Sequence, residues 1–227
     1  MRVVSGFLLA FVISAQALAL DLGSLSNADA VGGLKDALTQ GSAAAVSKLG
    51  VENGFLGDEK VKIPLPDALK RVESGLRIFG MQKQAEELVT AMNRAAEQAV
   101  PEAKALLAGA VKSMSVQDAK GILTGGDTAA TEYFRRTTSG QLTQKFLPIV
   151  TRVTAKIGLA EKYNSLAGRG AQFGLIDAKQ ARIEDYVTQK ALDGLFLMIA
   201  EQEKAIRKDP VGAATGMAQK VFGLIRR

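Results

Sequence analysis

Apolar positions recur along this chain every three to four residues, in run after run, and that spacing predicts helices rather than strands. Val31, Leu34, Leu38 and Val46 lie near one face of a helix capped by Asp29, running through Leu49 and stopped by Gly50. Pro66 suits the first turn of a second helix, in which Leu69, Val72, Leu76 and Phe79 recur at helical spacing until Gly80 ends it. A third, from about Met81 to Val100, gathers Met81, Ala85, Leu88, Met92, Ala95 and Ala99 on one face. Pro101 opens a fourth that reaches Met114, and Ser115 with Asp118 resembles a capping box for the next. Further helices are predicted over Thr128 to Phe146, Pro148 to Ile157, Ala160 to Ala167, Glu184 to Lys208 and Pro210 to the end. No sustained period-2 alternation is present, and only "VKIPLP", Val61 to Pro66, reads as extended, because its prolines push the preceding residues away from helix. "AGRGAQFGLIDAKQ", Ala167 to Gln180, has three glycines and little periodicity and reads as a mobile loop. The expected fold is all-α, a single compact multi-helix domain of about eight to nine helices.

The first residues do not belong to that pattern. "MRVVSGFLLAFVISAQALAL" has one early charge, Arg2, then an apolar run, then Ala17 and Ala19 as the small residues of an A-x-A cleavage site. Ser14 and Gln16 interrupt the run, which shortens it below the twenty or so apolar residues of a membrane span. Residues 1–19 therefore read as a signal peptide and 20–227 as one helical domain, with the mature chain in the periplasm.

Charge and composition narrow the partners. The formal net charge of +6 falls by one when Arg2 is removed, to about +5. Positive charges are interspersed, with no block of like charge, so an exported protein of this kind suits anionic envelope surfaces better than nucleic acid. The chain has no His, Cys or Trp, and aromatic residues make up only 5% of it. That removes Ser-His-Asp and Cys-His nucleophiles and the usual zinc ligands. It also removes the stacking platforms of a single-strand or sugar binder. G-x-S-x-G and an EF-hand loop are absent. Paired carboxylates remain able to run glycoside hydrolysis, and a Ser-Lys pair hydrolysis of another kind.

"LTGGDTAATEYFRRTT", Leu123 to Thr138, is the densest stretch. Two glycines before a helix start admit an anion site at free N–H groups. Asp127 competes with that reading, because an aspartate at the N-cap accepts those N–H bonds itself, and the Walker lysine is missing. The alternative is a helix corner, with Gly125 or Gly126 left-handed and Asp127 or Thr128 capping. At 100° per residue Glu132, Arg135 and Arg136 share one face, with Glu132 and Arg136 an i, i+4 pair. Either arginine can instead hold a more distant carboxylate bidentately.

"ALDGLFLMIA", Ala191 to Ala200, is apolar nearly all round, which marks a buried helix, and Asp193 is its only charge. A buried carboxylate is costly unless paired. Asp193 is therefore expected to be buried against Arg94, Arg135 or Arg136. "MNRAAE" places Asn93, Arg94 and Glu97 together, with Asn93 and Glu97 one turn apart, either as a buried polar clamp or as part of a carboxylate/arginine cleft. At the C-terminus, Asp209 and Pro210 start a helix with an apolar face and terminal Arg226 and Arg227. It either docks on the core or lies in an anionic interface.

These residues also carry a resemblance. "GFL", "VKIPLP", "MNRAAE", "PEAK", "DAKGILTGGDTAATEYFRRTT" and "KALDGLFLMIAEQEKAIRKDP" resemble a family of exported bacterial proteins catalogued as domain of unknown function 4197, from about Gly33 to Phe222. The resemblance implies a bacterial, periplasmic, mostly helical protein of one continuous domain. It brings no activity and no catalytic residues, and nothing in the residues calls for a cofactor. The expected role is binding, to an envelope protein or an anionic membrane surface. The alternative is an envelope hydrolase or small-molecule binder using the cleft residues Asn93, Arg94, Glu97, Asp127, Glu132, Arg135, Arg136 and Asp193.

The signal pattern makes a direct prediction. The N-terminal peptide of the cellular protein should begin at Leu20 by mass spectrometry and fractionate with the periplasm; an intact Met1 would overturn the assignment.

Overall fold

The computed structural model describes residues 27–71, 80, 82–158, 160–165 and 181–209. Among them are seven α-helices: α1 (Asn27–Leu49), α2 (Asp67–Arg71), α3 (Gln82–Ala99), α4 (Ala103–Ser113), α5 (Val116–Thr124), α6 (Ala129–Thr154) and α7 (Ile183–Lys208). A 3₁₀ turn, Val100–Glu102, joins α3 to α4. Residues 160–165 are also helical, and no strand occurs among the described residues. The all-α expectation holds for one domain with one hydrophobic core cluster. The signal segment, the second half of the helix expected after Pro66, the loop at 167–180 and the helix from Pro210 lie outside the described residues.

The two longest helices carry the core. Along α6 the residues Ala130, Phe134, Thr138, Leu142, Phe146, Val150 and Thr154 are all buried, a strict spacing of four. Each step of four turns about 40° beyond a full circle, so the buried stripe winds around the helix instead of running straight. α7 buries most of its circumference, including Ile183, Val187, Ala191, Leu195, Phe196 and Ile199. It packs between α6 and α1, with α3 against both α6 and α7.

Four local expectations need correction. α6 runs unbroken through Pro148, where two helices were expected. Proline in a helix interior removes one hydrogen bond and clashes with the preceding turn, at about 3 kcal/mol or more. Here Pro148 is exposed while Phe146 and Val150 on either side are fully buried, so packing offsets the loss. Asp29 lies in the first turn of a helix that begins at Asn27, and is not its cap. Gly125 is extended, with φ −83° and ψ 177°, and the left-handed glycine among the described residues is Gly80. Gly125 is needed for space instead: a Cβ there would fall 2.7 Å from the Ala129 Cβ and from the Gly121 carbonyl oxygen. Asp193, finally, is not buried: 45% of its side chain is exposed.

The segment between α1 and α2 folds over the helices without regular structure after about Lys62. It inserts Phe55, Val61, Ile63 and Leu65 into the core. Phe55 is fully buried, and α7 accommodates it at Gly194, where a Cβ would meet the Phe55 ring at 2.7 Å and the Val61 Cβ at 3.3 Å. Overpacking a filled core costs about 1–3 kcal/mol. Gly194→Ala should therefore lower stability in urea unfolding by about that amount; a variant as stable as the parent would show that the notch is not tight.

Candidate functional site

The eight residues expected to form a cleft separate into distinct structural sets. Asn93, Arg94 and Glu97 on α3 act together on the 50–66 segment. The Asn93 side chain is fully buried. Its Oδ1 accepts the Ile63 N–H at 2.8 Å, and its Nδ2 donates to the Ile63 carbonyl at 2.9 Å and the Val89 carbonyl at 2.8 Å. One amide thus satisfies both backbone groups of Ile63, as a neighbouring strand would. Glu97 Oε1 accepts the N–H groups of Phe55 at 3.0 Å and Leu56 at 3.1 Å. Its Oε2 takes Arg94 Nη1 at 2.6 Å, and that bond is the leading reason the Arg94 guanidinium holds its proton more tightly than usual. Arg94 continues outward to Glu52 and to Asn53, whose left-handed backbone has φ 66°. "MNRAAE" is a buried polar clamp, the first of the two readings the sequence allowed.

The second set lies between α6 and α7. Asp193 sits at the surface, with 45% of its side chain exposed, and accepts Gln189 Nε2 at 3.0 Å. Arg135 Nη1 is 3.8 Å away, and Arg135 Nε is 3.9 Å from Glu132. The guanidinium lies over the Phe196 ring, 4.7 Å from its centroid, a cation–π contact. The expected partner is present, but the expected burial is not: α7 turns its apolar sides inward and leaves Asp193 on the remaining strip with exposed Leu197.

Arg136 forms the third set. It reaches Asp118 Oδ1 at 3.3 Å on α5, so Glu132 pairs with Arg135 and not with Arg136. Asp118 also closes the capping box with Ser115, as the sequence indicated. Hydrogen bonds from the Ser115 hydroxyl and N–H, with Arg136 nearby, hold the Asp118 carboxyl below the usual carboxylate range.

Asp127 stands apart, exposed at the corner before α6. Neither it nor Thr128 caps the helix; Thr128 is the N-cap residue and makes no side-chain cap bond. The free N–H groups are filled from α7 instead. Glu203 Oε1 accepts the Ala130 N–H at 3.0 Å, and Oε2 accepts the Thr131 N–H and hydroxyl, each at 2.9 Å. Arg207 forks onto Glu203 at 2.8 and 3.1 Å and donates to the Ile122 carbonyl of α5 at 2.9 Å. The anion site that the corner offers is occupied by the protein's own carboxylate.

Glu203, Arg207, Glu184 and Asn164 are the residues that sequence reasoning missed. Glu203 falls in phase with Leu195, Ile199 and Ile206 on the buried stripe of α7, a signal legible at helical spacing. Glu184 lies one turn before Val187 and Thr188 on the same helix. The Asn164 amide donates to both oxygens of Glu184 at 3.0 Å, and its Oδ1 accepts the Ile183 N–H at 2.8 Å, capping α7 from outside. At the same end of α7 the buried Tyr186 hydroxyl donates to the Pro64 carbonyl at 3.1 Å. Burial first, then the charge of Asp67 and the presence of Tyr163, pushes that hydroxyl up to about 12. Among the described residues no group of three or more acidic side chains is placed to hold a metal ion.

A family model described as Protein of unknown function (DUF4197) matches residues 24–223. No curated protein and no solved structure matches the chain.

The two kinds of carboxylate should behave differently on removal. Glu203 is 5% exposed and paired, and Glu203→Ala leaves Arg207 and two helix N–H groups without it. The expected loss is about 3–5 kcal/mol, the usual result of breaking a buried pair. Asp193→Ala should cost less than about 1 kcal/mol, because an exposed pair contributes little. Urea unfolding of both variants checks this, and equal losses would refute it.

Proposed function

We propose that this chain, which belongs to the DUF4197 family, acts in the bacterial envelope by binding and not by catalysis. One observation carries the reading. The polar residues that would have lined a cleft are separated, and the buried ones are consumed by backbone groups: Asn93 by Ile63, Glu97 by Phe55 and Leu56, Glu203 by Ala130 and Thr131. A catalytic acid, base or nucleophile needs free capacity at a reacting atom. Side chains that hold a loop and a helix end have given that capacity to the fold. What remains for recognition is the outer surface of the helical body.

The export half of the proposal stands on the signal pattern of residues 1–19. No helix among the described residues is long and apolar enough to cross a membrane.

The test is affinity capture by the full mature chain from an envelope extract, with both proteins and lipids identified, run beside a hydrolase substrate panel. Capture should survive the double replacement Arg135→Gln, Asp193→Asn, which neutralises the most cleft-like pair. Turnover of any panel substrate that the double variant abolishes would overturn the binding reading in favour of a carboxylate/arginine enzyme.

A further inference from the structure

Between Glu132 and Glu161 the sequence contains no acidic residue, while Arg135, Arg136, Lys145, Arg152 and Lys156 fall within that interval. The first two are engaged by Glu132, Asp193 and Asp118. The other three are exposed, and none forms an ion pair among the described residues. Lys145 and Arg152 are seven residues apart on α6, two helical turns or about 10 Å along the axis. Because the buried stripe of α6 winds as it advances, Phe146, Val150 and Thr154 face inward over this half of the helix. Lys145 and Arg152 point away from them together, within about 20° of one another at 100° per residue. Lys156 follows in the turn after α6, where the Ile157 N–H still bonds to the Thr154 carbonyl at 3.0 Å.

Apolar side chains border these cations. Ile149, Val153 and Ile157 are only partly buried, with one side packed on the core. The exposed Pro148 lies between Lys145 and Arg152 and lacks the N–H that would bond to the Gln144 carbonyl four residues before it. No aromatic ring is among the large hydrophobic residues exposed in the described part of the chain, which are Val51, Val116 and Leu197. A face of unpaired cations edged by aliphatic side chains and lacking stacking rings matches the charge and polarity of an anionic lipid surface. It matches single-stranded nucleic acid poorly, since bases need aromatic platforms.

We infer that the outer face of the second half of α6, with Lys145, Arg152 and Lys156, is a docking surface for anionic phospholipid headgroups. This rests on the binding reading above and names its partner. The contact is peripheral: phosphates meet the three cations while Ile149 and Val153 lie against the headgroup boundary.

The experiment is co-sedimentation of the full mature chain with vesicles of phosphatidylglycerol and phosphatidylcholine, and with phosphatidylcholine alone, at low salt. The expected result is binding to the anionic vesicles only. In Lys145→Gln, Arg152→Gln, Lys156→Gln, partitioning should fall roughly a hundredfold, about fivefold for each charge removed from an anionic surface. A control with the same charge change at exposed positions elsewhere, Lys104→Gln, Lys112→Gln, Lys120→Gln, should bind within about threefold of the parent if this face is the one that docks. Circular dichroism confirms that both variants fold. Equal losses in the two variants would reduce the effect to net charge and overturn the proposal. So would parent-like binding by the first variant, or a parent that ignores anionic vesicles and instead binds duplex DNA through the same three residues. Failure here leaves the broader binding reading standing, because that one falls only to turnover that depends on Arg135 and Asp193.

Discussion

The architecture depends on one carboxylate placed where a helix begins. Among the described helices α6 and α7 form the most extensive pairing, and Glu203 fastens the late part of α7 to the first turn of α6. A helix N-terminus presents N–H groups with no partner in the helix and the positive end of its dipole. A buried acid presents the opposite need. Each answers the other, and Arg207 supplies the remaining charge while tying in the end of α5. Three helices are thereby fixed in relative position by two side chains one turn apart. Without that match the corner at Gly125–Thr128 would have no anchor of its own, since the local residues supply no side-chain cap.

The same device recurs. Asn164 caps α7 from a distant segment, Glu97 captures two N–H groups of the loop after α1, and Asn93 stands in for a strand beside Ile63. In each case a side chain borne on, or beside, one element completes the backbone of another. This explains how a long irregular stretch such as 50–66 can be partly buried at all. Buried backbone groups must be paired, and here polar side chains of α3 pair them.

That arrangement also separates what the sequence discloses from what it hides. Helix periodicity, the Ser115–Asp118 capping box and the lack of helix over 62–66 are local properties, legible in the sequence, although Val61 and Lys62 close a turn onto Asp58 where extended chain is expected. Pairings such as Glu203 with Ala130 are 73 residues apart, and no local rule connects them. The glycines at 125–126 mark a corner whose completing residue, Glu203, lies on another helix. Asp193 misled for a related reason. A helix that is apolar nearly all round still has one narrow outward strip, and a single charge is what marks it. Glu203, in phase with Ile199 and Ile206, and Glu184 near the other end are the buried acids of α7 among its described residues. Pro148 reads as a boundary in sequence because its cost is local, whereas the burial of Phe146 and Val150 that offsets it is tertiary.

The seating of Phe55 at Gly194 has a consequence for how the chain is made. The Lys60–Glu201 and Tyr186–Pro64 contacts link the same two regions across 141 and 122 residues. The segment near the start of the domain therefore has its resting place on the last described helix. During synthesis, which runs from the N-terminus, α1 and the 50–66 stretch emerge long before the surface that receives them. Contacts of such separation close late, because a long loop must be ordered before they stabilise anything. Until α7 arrives, Phe55, Val61, Ile63 and Leu65 have only part of their cover, and a nascent chain in that condition is sticky. The 50–66 stretch is thus completed from far along the chain, with α7 serving as the keystone for residues made first.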